Sequence, residues 1–164
     1  MNVKKQKQKP WEQVNNNLIE FIKLWKAAHE SVLGFHWKKL PPFSFIWPQV
    51  DFLRIQSLMA DLSKQCSEQI RNLQVLIKKS NNSVAEEQLF YKKTIPYLHS
   101  LQNSAKILIK IAAFKQSKLE KKPVKARDLN RLLKDYEAKV AELRNNSLVA
   151  REQWLLLNSA LSEK

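Results

Sequence analysis

The sequence KILIKIAAFKQSKLEKKPVKARDLNRLLK, residues 106–134, contains two amphipathic patterns that meet at Pro123. Apolar residues recur at intervals of three and four on both sides of the proline, which is typical of helices that bury one face. Ten basic residues are opposed only by Glu120 and Asp128. The ten are Lys106, Lys110, Lys115, Lys118, Lys121, Lys122, Lys125, Arg127, Arg131 and Lys134. The stretch therefore predicts a cationic surface suited to a polyanion.

The same helical spacing extends in both directions from this stretch. It predicts a helix from Trp11 to Gly34, one from Asp51 to Lys79 with Asp51 as the N-cap, and one from Ser83 to Ala112 with a kink or break at Pro96. In the last helix, apolar and small residues alternate by fours and threes from Leu129 to Leu161, a heptad pattern that must pack on another helix. We expect that partner to lie in the same chain, although a second copy is the alternative.

These patterns predict an all-α fold, an antiparallel bundle of about four long helices. Residues 1–10 form a mobile basic N-terminal tail, and residues 11–164 form a single helical domain with an aromatic and proline-rich connector at 35–48 and a basic bend at 115–127. Gly34 is the single glycine, which excludes glycine-rich phosphate loops.

Composition limits the compartment and the partners. The 164 residues carry 29 Lys and Arg against 15 Asp and Glu, a formal net charge of +14. No apolar run approaches the roughly 20 residues of a membrane span. The lone Cys66 lies in an apolar helical pattern, which indicates a small buried hydrophobe in a reducing compartment. We therefore expect a cytoplasmic protein that makes no integral membrane contact.

The connector FHWKKLPPFSFIWP, residues 35–48, has two interpretations. Its rings can fill the end of the bundle, which is the common fate of such aromatics. Alternatively, Trp37 beside Lys38 and Lys39 provides the aromatic and cationic pair on which single-stranded bases stack. We favour the first interpretation and keep the second as a candidate site.

Catalytic and metal-binding patterns are not found in the sequence. His29, His36 and His99 stand apart from one another and from carboxylates at ligand spacing, so we expect no metal and no cofactor. A nucleophile needs a positioned base, and no such arrangement is visible. The sequence favours a protein that is not an enzyme.

The order of these features resembles the PriC family of replication-restart proteins. The resemblance lies in LMADLSKQCSEQIRNLQVL (Leu58 to Leu76), in the basic entry Arg127 to Leu133, and in the segment Asp135 to Val140. It implies single-stranded DNA binding, help in loading the replicative helicase, and docking of the acidic tail of the single-stranded-DNA-binding protein. By position, that tail would be bound by Leu129, Arg131, Tyr136 and Lys139. Lysine replaces much of the arginine that the family carries, which disfavours bidentate contacts.

The sequence thus predicts a non-enzymatic accessory protein that binds nucleic acid, with single-stranded DNA favoured over other forms. A cationic helix face beside an exposed ring at Tyr136 would suit a peptide that ends in aspartates and a phenylalanine. Two other functions are compatible with the charge: an adaptor for an acidic protein partner, and a peripheral protein of anionic membrane surfaces. The oligomeric state is open.

Overall fold

The computed structural model describes residues 9–34, 50–79 and 85–162. In these residues the chain forms four helices, α1 (Pro10–Leu33), α2 (Phe52–Lys79), α3 (Ala85–Leu119) and α4 (Ala126–Ser162), and no strand. The predicted all-α fold is confirmed. The connector at 35–48 and the predicted helix start at Ser83 lie outside the described residues, and so does the N-terminal tail except for Lys9 and Pro10.

The helix starts follow from local chemistry. Pro10 occupies the first position of α1, where its missing N–H removes no hydrogen bond, and the Glu12 carboxylate accepts the backbone N–H of Lys9 at 3.3 Å. The Asp51 carboxylate accepts the backbone N–H of Arg54 at 2.9 Å, so the predicted cap of α2 is confirmed. Helix α1 ends before Gly34, whose φ of −57° is one that any residue adopts.

Neighbouring helices run antiparallel, up and down. Gln102 of α3 donates to Ser67 of α2 at 2.6 Å, and Asn146 of α4 donates to the Pro96 carbonyl of α3 at 3.4 Å. The start of α1 meets the end of α4, where the rings of Trp11 and Trp154 are 5.2 Å apart. Helix α3 packs along much of its length against both α2 and α4. It therefore forms the centre of the bundle.

The core is built from apolar residues at helical spacing on all four helices. Met59, Leu62, Leu98, Leu101 and Leu157 are fully buried. On α4, the residues of the heptad pattern that are buried are Tyr136, Leu143, Ala150 and Leu157, and they face α3 and α1 within the same chain. The intramolecular partner expected for this pattern is confirmed.

Two further expectations concern single residues. Cys66 is fully buried, as expected, and burial raises the pKa of its thiol to about 12. Helix α3 continues through Pro96, so the proline does not break it. Pro96 lies on the exposed side of α3, and its ring does not displace the core.

We expect Leu101→Ala to lower the free energy of unfolding by about 2–5 kcal/mol, because a fully buried leucine in the central helix leaves a cavity when it is truncated. Urea denaturation followed by circular dichroism measures the change. Leu53→Ala is the matched control: Leu53 is 61% exposed, and its truncation should change the stability by less than about 0.5 kcal/mol. Equal losses in the two variants would contradict the assigned core.

Candidate nucleic-acid interface

The basic bend is held by the C-terminal cap of α3. The backbone N–H of Lys122 donates to the Ser117 carbonyl at 3.0 Å, and that of Lys121 donates to the Lys118 carbonyl at 3.1 Å. These two hydrogen bonds form a Schellman motif, whose left-handed position is occupied by Lys121 with a φ of 57°. Glycine is the usual residue there. The cap fixes the direction in which the chain leaves α3, and so it orients the bend.

The cations of the bend are exposed to water. Lys118, Lys121, Lys122, Lys125 and Arg127 are all exposed. One acid lies among them: the Glu120 carboxylate is 2.6 Å from the Lys122 ammonium. Hydrogen bonds from Lys122 and then Gln116 lower the pKa of Glu120, which keeps it ionised. Because both partners are open to solvent, this pair offsets one charge and leaves the bend strongly positive.

Lys115 differs from the other predicted cations. Its ammonium donates to the carbonyl of Val32, near the end of α1, and its side chain is half-buried. The amine therefore caps the C-terminal end of α1, where a positive charge is favourable. Its role in the described structure is to connect α3 to α1.

The predicted cations outside the bend lie on two helices. Lys106 and Lys110 lie on the outer stripe of α3. Arg131 and Lys134, together with Arg127 of the bend, lie on the side of α4 opposite the buried Tyr136, because residues follow one another at about 100° around a helix. The ten cations of residues 106–134 thus point in several directions.

An acidic edge of α4 lies between the cations on the outer stripe of α3 and the cations on α4. Asp128, Asp135 and Glu142 are seven residues apart and therefore line one side of α4. That side borders the outer stripe of α3, since Asn146, one turn beyond Glu142, reaches the Pro96 carbonyl. Glu142 also accepts a hydrogen bond from Lys139 at 2.8 Å. Positive potential on α3 is consequently limited on the side of α4.

The residues predicted to bind a partner peptide are not brought together. Tyr136 is 2% exposed, so the expectation of an exposed ring is wrong. Its hydroxyl lies 2.8 Å from Nδ1 of His29, and its ring stacks on those of His29 and Trp25. Burial raises the pKa of Tyr136 above its ordinary value. Leu129 is half-buried, and Arg131 lies on another side of α4, because residues five apart do not share a helix face. Lys139 is half-buried and already donates to Glu142 at 2.8 Å.

A groove between α1 and α4 lies beside Tyr136. It has a volume of about 1070 Å³ and is mainly apolar, with Trp25, Leu33, Leu133 and Val140 among its lining residues. Lys26 and Arg144 contribute positive charge to it, and Glu137 contributes one negative charge. The sequence did not indicate this groove, because it depends on how far α1 and α4 diverge rather than on a local pattern.

Residues 9–34, 50–79 and 85–162 contain neither a metal-binding cluster nor a membrane-spanning helix. No group of three or more His, Cys, Asp and Glu side chains there is arranged to hold a metal ion. None of the four helices is both long and apolar enough to cross a membrane. Trp37, Lys38 and Lys39, the candidate stacking residues, lie outside the described part of the chain, as does His36.

Comparison of the chain with protein-family models, with curated proteins and with solved structures finds no match.

We expect Tyr136→Phe to lower the free energy of unfolding by about 0.5–1.5 kcal/mol, because it removes the hydroxyl that pairs with His29 across the α1–α4 interface. Chemical denaturation provides the measurement. Tyr97→Phe is a matched control, since Tyr97 is also buried but its hydroxyl takes part in no hydrogen bond among the described residues. A smaller loss for Tyr136→Phe than for Tyr97→Phe would contradict this role.

Proposed function

We propose that this protein is a non-enzymatic accessory factor that binds single-stranded DNA, in the manner that its resemblance to the PriC family implies. The observation that carries the proposal is the exposed part of the basic bend, residues 118–127, in which five cations face water. Lysine dominates among them, and lysine neutralises phosphates as a point charge. The binding that we propose is therefore strongly salt-dependent and weakly dependent on sequence.

The biological setting of the proposal comes from the resemblance. It consists of replication restart in the cytoplasm, in which the protein helps to load the replicative helicase and contacts the single-stranded-DNA-binding protein. The described residues support this proposal with the exposed cations of the bend. An acidic protein partner and an anionic membrane surface are the competing ligands of such a charge.

We expect the affinity for an oligo-dT strand to fall steeply with salt, with log K against log salt nearly linear, because bound phosphates release counterions. Reversal of Lys118, Lys121, Lys122 and Lys125 to Glu should weaken binding at least about tenfold and flatten the slope by about 0.7 for each lost phosphate contact. Fluorescence anisotropy at several salt concentrations measures both quantities.

The control variant is Lys23→Glu. Lys23 is exposed on α1 and already pairs with Glu20 at 2.9 Å, so its reversal should leave the slope of log K against log salt nearly unchanged. A flat salt dependence of the unaltered protein would remove nucleic acid as its main ligand. Binding of duplex DNA, RNA and anionic liposomes in the same assay ranks the competing ligands.

The groove between α1 and α4 supports a second candidate function, the capture of an acidic peptide. An apolar floor flanked by Lys26 and Arg144 matches a peptide that ends in aspartates and an aromatic residue, since the ring can enter the groove while the carboxylates meet the cations. This location replaces the set of four residues on α4 that the sequence predicted.

We expect a labelled peptide with an Asp-Asp-Phe C-terminus to bind, and Lys26→Glu with Arg144→Glu to weaken that binding at least about tenfold, because two charge-assisted contacts are lost. Isothermal titration calorimetry measures the affinity. The control variant is Arg127→Glu with Arg131→Glu. It changes the net charge by the same amount at positions elsewhere on α4, and should weaken peptide binding less. Equal effects of the two double variants would indicate that only the overall charge matters.

A further inference from the structure

We propose that the outer seam between α2 and α3 carries the phosphate backbone of a bound single-stranded nucleic acid, over two rows of basic side chains that the antiparallel packing places side by side. This inference rests on the proposed function and locates its binding path on a surface that extends beyond the bend. The seam is fixed by Gln102 of α3, whose amide donates to the Ser63 carbonyl at 3.0 Å and to the Ser67 hydroxyl at 2.6 Å.

The first row lies on α2. Lys64, Arg71 and Lys78 are all exposed and follow one another at intervals of seven residues, so they share one face of the helix. Such an interval corresponds to about 10.5 Å along the axis, and the row is about 21 Å long. Lys64 and Arg71 lie on either side of Ser67 in the sequence, on the side of α2 that adjoins the seam.

The second row lies on α3 and has the same interval. Lys92, His99 and Lys106 are exposed and seven residues apart, and Lys110 continues the row one turn later. His99 and Lys106 lie on either side of Gln102 in the sequence. Because Gln102 bonds to Ser67, the middle parts of the two rows are at the same height along the bundle. The two rows therefore flank a polar strip formed by Ser63, Ser67 and Gln102.

The acids around this surface limit it on both outer sides. Beyond α3, the edge of α4 presents Asp128, Asp135 and Glu142, which disfavours a polyanion there. Beyond the α2 row, Asp61 and Glu68 lie further around that helix. Glu68 is three residues from Arg71 and four from Lys64, but it forms no ion pair with either within the described chain. The positive surface is thus a band along the seam.

The rows are available to a ligand. Each of the three ion pairs among the described residues involves a lysine elsewhere, namely Lys23, Lys122 or Lys139. The hydroxyl and amide groups of Ser63, Ser67 and Gln102 lie between the rows, where they can donate hydrogen bonds to phosphate oxygens. None of these three described residues has an aromatic ring on which bases could stack, so we expect contacts with phosphate and little sequence preference.

The experiment compares two triple variants that lose the same charge. Lys64→Gln, Arg71→Gln and Lys92→Gln together remove three cations of the seam, whereas Lys26→Gln, Arg144→Gln and Arg151→Gln remove three from the opposite α1–α4 side. The probe is a fluorescent 30-nucleotide oligo-dT, and the readout is the slope of log K against log salt. All six positions are exposed, and circular dichroism verifies that both variants are folded.

We expect the seam variant to lose about 2 units of slope, about 0.7 for each released phosphate contact, and the control variant to lose less than about 0.7. Equal slopes of the two variants, with a steep slope for the unaltered protein, would overturn the seam while leaving the proposed function in place. A flat slope for the unaltered protein would overturn the proposed function itself, and the inference with it.

A gain-of-binding variant tests the same surface in the opposite direction. Glu68→Gln removes an acid that lies within about one helical turn of both Lys64 and Arg71, and should raise the affinity for oligo-dT at low salt about twofold to fivefold. Glu137→Gln, on the α1–α4 side, is its matched control and should change the affinity less. An unchanged affinity in Glu68→Gln, with unchanged slope in the seam triple variant, would exclude the seam as the binding path.

Discussion

The structure depends on the burial of α3, which contacts helices on several of its sides and must satisfy its polar groups without water. Three polar residues on its buried side do so within the helix itself. Thr94, Ser100 and Ser104 are fully buried, and each hydroxyl donates to a backbone carbonyl three or four residues earlier at 2.8 Å. A buried hydroxyl without a partner would cost about 1–3 kcal/mol. These small side chains therefore let α2 and α4 approach the central helix closely.

The same burial determines where charge can lie. Because α2, α4 and α1 cover most of α3, a single stripe of that helix remains in contact with water, and Lys92, Lys106 and Lys110 all lie there. Pro96 is on the same stripe, where its ring cannot disturb a helix–helix contact. The basic character of α3 is thus concentrated by the fold, and it extends toward α2 because the neighbouring edge of α4 is acidic.

Helix positions and the core could be read from the sequence, whereas the relations between helices could not. The spacing of apolar residues by three and four around Leu62, Leu101 and Leu143 predicts which face of each helix is buried, because that spacing depends only on helix geometry. The prediction that the Tyr136 ring is exposed was wrong. The ring is buried against His29, which is 107 residues away in the chain and cannot be identified from a local pattern. The groove beside it likewise depends on the separation of α1 and α4. The angular position of each of the ten cations around its helix follows from the sequence. The surface on which each cation lies can be assigned only when the neighbours of that helix are known.

The cap of α3 gives the basic bend a second property. Lys121 adopts a left-handed φ of 57°, a conformation that costs a residue with a Cβ atom about 1 kcal/mol or more relative to glycine. A glycine at that position would make the turn easier to form but would leave the bend one cation short. The left-handed turn favours glycine at this position, whereas the proposed binding of a polyanion favours the lysine. A Lys121→Gly substitution that raises the melting temperature would therefore also weaken the positive electrostatic potential of the bend.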